Sequence, residues 1–82
     1  MVEFTVTCEW DSEASLWYVA ESNVPGLTAE APTAESMEKL LDARIPELLR
    51  LNMPELFSDD MPRRVPFDLL TRRHRELKLA CA

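Results

Sequence analysis

The feature that most constrains this chain is a change in the spacing of its apolar residues. Residues 2–9 alternate apolar and polar side chains, which predicts a β-strand with one buried face. Threonine favours the position that caps the start of a helix, and after Thr33 the apolar residues recur every three or four positions. The chain therefore has to pack a helix on a sheet. The predicted buried residues are Val2, Phe4, Val6 and Cys8 in the strand, and Met37, Leu40, Leu41, Ile45, Leu48 and Leu49 in the helix.

Two further strands are predicted between these segments. A polar loop at residues 11–15 leads into residues 16–20, which are rich in β-forming side chains and are apolar on both faces. Val24-Pro25-Gly26-Leu27 predicts a type II turn, because proline presets the second position and glycine accepts the positive φ of the third. Residues 27–31 then form a short third strand.

The second half of the chain is predicted to return to the sheet. Pro46 lies within the helical pattern and is expected to kink its last turns. Residues 51–62 contain two prolines and are expected to form a loop. Residues 65–71 predict a fourth strand, which could extend as far as residue 73 or 79.

The resulting fold class is α+β, with the order β-β-β-α-β. A right-handed crossover through the helix places strand four parallel to strand one, which gives a four-stranded mixed sheet in the order 3-2-1-4 with the helix on one face. Trp17 and Val19, with Leu70 if the register permits, are expected on the uncovered face as an apolar patch. Together with Trp10, these residues are the candidate protein interface, since tryptophan is enriched where partners meet.

Length and charge limit what the chain can do. The 82 residues are expected to form one domain, residues 1–82. Residues 1–61 carry thirteen acidic and three basic side chains, whereas residues 62–82 carry six basic and two acidic ones. The acidic part favours a basic partner, or only keeps the domain in solution. With no apolar run long enough for a bilayer and no signal peptide, a cytoplasmic protein without membrane association is expected.

Catalytic, cofactor and metal sites are not predicted. The chain has one histidine, no Cys-x-x-Cys pair and one glycine, which gives neither a metal-ligand pattern nor a glycine-rich phosphate loop. Its two cysteines could form at most one bridge. Asp11, Glu13 and Glu30 could hold catalytic metal ions only if their carboxylates converged, and nothing in their spacing forces this. We therefore predict a binding module and not an enzyme.

A basic segment near the end offers a different hypothesis. Arg72, Arg73 and Arg75 could contact the phosphates of RNA or DNA. Against this, no aromatic side chain is interleaved with the arginines to stack on bases. We favour the interpretation that these charges protect an edge strand from pairing with other chains.

Several motifs of the chain together match a known family. They are Trp10-Asp11, Glu13-Ala14 and Trp17, followed by Pro25-Gly26-Leu27, Glu30-Ala31, a helix start at Thr33 and Ile45-Pro46-Glu47-Leu48-Leu49. With these features, residues 2–52 resemble the HicB-like antitoxin domain, and most closely its short stand-alone relatives grouped as a domain of unknown function. The resemblance implies a partial ribonuclease-H-like fold without catalytic activity. It also implies self-association, as a homodimer or a larger assembly.

In full-length relatives the domain masks a small, basic, mRNA-cleaving HicA-like toxin, and a second domain binds DNA. The 82 residues leave no room for a separate DNA-binding domain, which puts operon repression in doubt. We predict a protein-binding domain of antitoxin type. The alternatives are a stand-alone homo-oligomeric domain of unknown function and a small RNA- or DNA-binding domain that uses the arginine-rich last strand.

Overall fold

The computed structural model describes residues 3–57 and 64–80 and contains a four-stranded sheet with one helix. The sheet order is β3-β2-β1-β4, with β1–β2 and β2–β3 antiparallel and β4 parallel to β1. Both the α+β class and the order 3-2-1-4 are thereby confirmed. The elements are β1 (Phe4–Asp11), β2 (Leu16–Ser22), β3 (Glu30–Ala31), α1 (Ala34–Asn52), a 3₁₀ turn (Pro54–Phe57) and β4 (Phe67–Arg72).

Several element boundaries differ from the predicted ones, and β1 and β2 each run two residues further than predicted, to Asp11 and Ser22. β3 has two residues instead of five, because only Glu30 and Ala31 pair with β2. The helix runs on through Pro46 to Asn52, so that the predicted loop begins two residues late and then forms a 3₁₀ turn. β4 ends at Arg72, and residues 73–80 have no regular secondary structure.

Local signals at the ends of β2 and α1 form as predicted. Gly26 has a φ of 73°, and the Leu27 N–H donates to the Val24 carbonyl at 3.3 Å, as in a type II turn. At the helix start the Thr33 hydroxyl accepts from the Ser36 N–H at 3.0 Å, while the Thr33 N–H donates to the Ser36 hydroxyl at 3.1 Å. This reciprocal pair satisfies two backbone donors and fixes where the helix begins.

The core lies between β1 and the apolar stripe of α1. Phe4, Val6 and Cys8 alternate along β1 and are buried, as the period of two predicts. Met37, Leu41, Ile45 and Leu49 of α1 are buried against them. Burying each large apolar side chain contributes about 1.5–3 kcal/mol. We call this side of the sheet the helix-covered face and the other side the open face.

The prediction that Trp17 and Val19 lie on the open face is wrong. Cys8 pairs with Val19 and Trp10 with Trp17, and residues directly opposite each other on antiparallel strands share a face. Since Cys8 is in the core, Val19 and Trp17 lie on the helix-covered face, where both pack against the core. β2 is apolar on both faces, so its own sequence could not decide this orientation.

Candidate functional site

An open depression lies beside the loop between β1 and β2, and we call it the loop depression. Its volume is about 470 Å³, and its lining combines acidic, aromatic and aliphatic side chains. The loop is shaped by the Asp11 carboxylate, which accepts hydrogen bonds from the Glu13 N–H at 3.0 Å and the Ala14 N–H at 3.2 Å. The lining of the depression includes Trp10, Asp11, Glu13, Leu16, Tyr18 and Glu30.

The three carboxylates considered for a metal site therefore line one depression, although their sequence spacing did not require it. Asp11 and Glu13 come from the loop, whereas Glu30 comes from β3 and pairs with Tyr18 of β2. All three are exposed. Among residues 3–57 and 64–80, no group of three or more His, Cys, Asp or Glu side chains is placed to hold a metal ion. What the arrangement offers is an acidic surface beside aromatic and aliphatic side chains.

The two tryptophans form a cluster at the same end of the sheet. Their ring centroids are 5.5 Å apart with an interplanar angle of 66°, an edge-to-face geometry. The Arg73 guanidinium lies 4.4 Å from the centroid of the Trp10 ring, within the range of a cation–π interaction. Both tryptophans are half-buried, and Trp10 also borders the loop depression. Of the two, Trp10 is therefore the one in contact with the candidate site.

Leu70 lies on the open face, opposite Thr7, and is 52% exposed. On the same face, Tyr18 lies opposite Glu9. The polar β1 side chains Thr7 and Glu9 thus separate Leu70 from Tyr18. The expectation of a continuous apolar patch on the open face is wrong for this reason. Whether Trp10, Trp17, Val19 or Leu70 contacts a partner stays a prediction.

The arginines of the last strand are partly engaged within the chain. Arg72 lies 3.8 Å from the Glu9 carboxylate, and Arg73 covers Trp10, as described above. Arg75 is exposed in the segment after β4. His74 lies 3.9 Å from the Glu76 carboxylate, and both side chains are about nine-tenths exposed. Nucleic-acid binding by Arg72, Arg73 and Arg75 stays a prediction.

A second cavity lies between α1 and β4, and we call it the flank cleft. It has a volume of about 360 Å³ and is mostly apolar. Sequence reasoning predicted the helix stripe and the last strand that border it, but gave no sign of a gap between them. The lining of the cleft includes Phe4, Ile45, Leu49, Phe57, Val65 and Phe67.

Cys8 is a buried free thiol in the core, and burial raises its pKa above the ordinary value of 9.0. A raised pKa keeps the thiol protonated and unreactive. Cys81 lies outside the described residues, so a bridge between Cys8 and Cys81 stays untested. In the described part of the chain, no helix is both long enough and apolar enough to cross a membrane.

Comparison with known proteins gives one family and one solved structure. The model of a family described as a domain of unknown function, DUF1902, matches residues 3–79. The crystal structure of hypothetical protein TTHA1013 from the extremely thermophilic bacterium Thermus thermophilus is similar to this chain, with a TM-score of 0.63 and 33% sequence identity. The similarity covers 95% of this chain and 100% of that one. No curated protein matches the chain.

Proposed function

Since this chain belongs to the DUF1902 family, whose function is unknown, we propose a function from its own surface: a non-catalytic, cytoplasmic protein-binding domain related to the HicB-like antitoxins. Its partner is a small, basic, mRNA-cleaving toxin of the HicA-like kind. The domain also associates with itself. The observation that carries the proposal is the loop depression, whose lining combines acidic side chains with aromatic and aliphatic ones.

The chemistry of the loop depression suits a basic protein. Glu13 and Glu30, which we call the acidic rim, are exposed carboxylates in its lining, and Leu16 and Tyr18 supply aliphatic and aromatic surface there. Protein interfaces combine a desolvated aromatic or apolar centre with a polar rim in this way. Lysine and arginine side chains of a partner would meet the rim, and their aliphatic stems would cover Tyr18.

The charge of the rest of the chain favours the same partner over a nucleic acid. Residues 3–57 carry eleven acidic and three basic side chains. An acidic surface accelerates encounter with a basic protein and repels phosphates. An antitoxin of this type would act by covering the basic surface with which the toxin holds RNA.

Part of the resemblance to HicB-like antitoxins lies in residues at this site. Trp10-Asp11 and Glu13-Ala14 border the loop depression, and Glu30 completes its rim. These residues are among those that carry the resemblance. In this chain they form the surface that we assign to the partner.

The proposal is tested by inhibition of RNA cleavage. A small basic HicA-like toxin encoded beside the gene of this chain is purified, and its cleavage of mRNA is measured with increasing amounts of the chain. We expect full inhibition near equal stoichiometry. No inhibition at excess chain, together with no heat of binding in calorimetry, would refute the antitoxin function.

A pair of variants locates the contact. Glu13→Lys with Glu30→Lys removes the acidic rim and should weaken binding of the toxin at least about tenfold. Asp11 is left unchanged because its carboxylate holds the loop. Glu38→Lys with Glu47→Lys makes the same change in net charge on exposed positions of α1 and serves as the control. Equal weakening by both pairs would contradict a localised site.

A further inference from the structure

The segment after β4 leaves large apolar side chains in water. Residues 73–80, which we call the tail, are all exposed and have no regular secondary structure. The described chain measures 65 Å along its longest axis against 23 and 17 Å along the others. Leu77 and Leu79 of the tail are 80% and 84% exposed. In this position both leucines forgo the stabilisation that burial of an apolar side chain provides.

The sheet carries an apolar surface that matches these leucines. β4 is an edge strand, so one side of its backbone lacks a neighbouring strand within the described chain. On the helix-covered face, Phe67 and Leu69 of β4 and the preceding Val65 are only half-buried. The flank cleft opens next to Phe67.

The tail of the same chain leaves the sheet at the wrong end to fill the flank cleft. β4 starts beside Phe4, where the cleft lies, and ends at Arg72 beside Glu9, at the other end of β1. Returning along β4 would need a tight reversal directly after Arg72. The tail contains no glycine, proline, asparagine or aspartate, which are the residues that favour such turns.

We propose that two copies of this chain exchange their tails. The tail of each copy pairs antiparallel with the free edge of β4 in the other copy, which joins the two sheets into one. This proposal rests on the self-association proposed above and specifies its mode. It uses the edge of β4 and the flank cleft, and it leaves the loop depression open to a different partner.

The alternation of side chains along a strand, together with charge, defines the register between the tail and β4 of the second copy. Odd-numbered residues of β4 point to the helix-covered face, and in an extended tail Leu77 and Leu79 continue that alternation. If Leu79 lies opposite Phe67 of the second copy, Leu77 lies opposite its Leu69 and covers the half-buried flank. The same register places Lys78 opposite Asp68 on the open face, where opposite charges attract.

The arrangement also has the symmetry and the charge balance of a dimer. This register repeats about a two-fold axis that passes between the two copies of Arg73. Each Arg73 guanidinium lies against the Trp10 ring of its own chain, which draws it away from its symmetry mate. The tail carries Arg73, Arg75 and Lys78 against Glu76, whereas residues 3–57 are strongly acidic. A basic tail on the acidic body of a second copy is therefore favourable.

Sedimentation equilibrium on the full chain tests the exchange. We expect a dimer, and for Leu77→Asp with Leu79→Asp a monomer or a dissociation constant raised at least about tenfold. Leu51→Asp is the control, because Leu51 is 78% exposed on α1. A dimer unaffected by the tail variant would overturn the exchange while leaving self-association intact. A monomer at every concentration would overturn both, and the toxin-inhibition assay reports on the antitoxin function separately.

A charge swap tests the register and does not depend on hydrophobic loss. Asp68→Lys alone and Lys78→Asp alone should each weaken the dimer about twofold to fivefold, as expected for an exposed ion pair. The two changes together should restore its affinity. Additive weakening in the double variant would overturn the proposed register.

Discussion

The two faces of the sheet are built from the same strands and have different chemistry. On the helix-covered face, Phe4, Val6 and Cys8 of β1 are completely or almost completely buried. On the open face, the intervening residues Thr5 and Glu9 remain in contact with water. One alternating strand thus contributes to the core and to the polar surface of the domain.

A fold with a single helix suggests that the exposed apolar surface lies on the open face, but in this chain it does not. A single helix does leave one face of the sheet uncovered, but polar side chains of β1 occupy the middle of that face. An apolar cleft lies instead on the helix-covered face, between α1 and β4. The position of a helix over its sheet can thus matter more for association than the number of faces that it covers.

The largest expected effect comes from a large-to-small substitution in the core beneath the helix-covered face. Leu41→Ala, at a residue that is 0% exposed, should lower the free energy of unfolding by about 2–5 kcal/mol because it leaves a cavity. Leu51→Ala on the exposed side of the same helix should change it by less than about 0.5 kcal/mol. Urea denaturation measures both, and equal losses would contradict the assignment of the helix-covered face.

A second test compares substitutions at two neighbouring residues of β2 that lie on opposite faces of the sheet. Trp17→Ala removes core packing and the edge-to-face contact with Trp10, and should cost about 2 kcal/mol. Tyr18→Ala, on the open face, should cost less than about 1 kcal/mol. The reverse order in chemical denaturation would mean that β2 faces the other way.

The third test concerns the attachment of the helix. Thr33→Ala removes the hydroxyl that accepts the Ser36 N–H and should lower stability by about 1 kcal/mol. Thr33→Ser retains that acceptor and should lose clearly less. Thermal unfolding of the two variants gives the comparison, and an equal loss would show that the hydroxyl is not responsible.

The smallest expected effect is a dependence on pH from Cys8. Because burial raises the pKa of Cys8 in the folded state, folding favours the protonated thiol. This contribution is complete below the ordinary value of 9.0 and is lost as the pH rises through the higher pKa of the folded state. The free energy of unfolding should fall over that range in the natural sequence and fall less in Cys8→Ala. Identical slopes would contradict a shifted thiol.

The sequence by itself determined the element order, the sheet order and the part of the core that β1 and α1 contribute. The period of two in β1, the helical spacing after Thr33 and the Pro25-Gly26 turn are local signals, since each depends on the backbone geometry of a few neighbouring residues. A right-handed crossover then leaves few arrangements of the strands.

Only the tertiary structure decided which way β2 faces and where the helix leaves a gap. β2 is apolar on both sides, so its orientation follows from its pairing with β1, in which Trp10 lies opposite Trp17. Likewise, Glu13 and Glu30 line the same loop depression although they are far apart in sequence, and no local pattern encodes this. Such features depend on contacts between separate elements, and those contacts exist only once the sheet has formed.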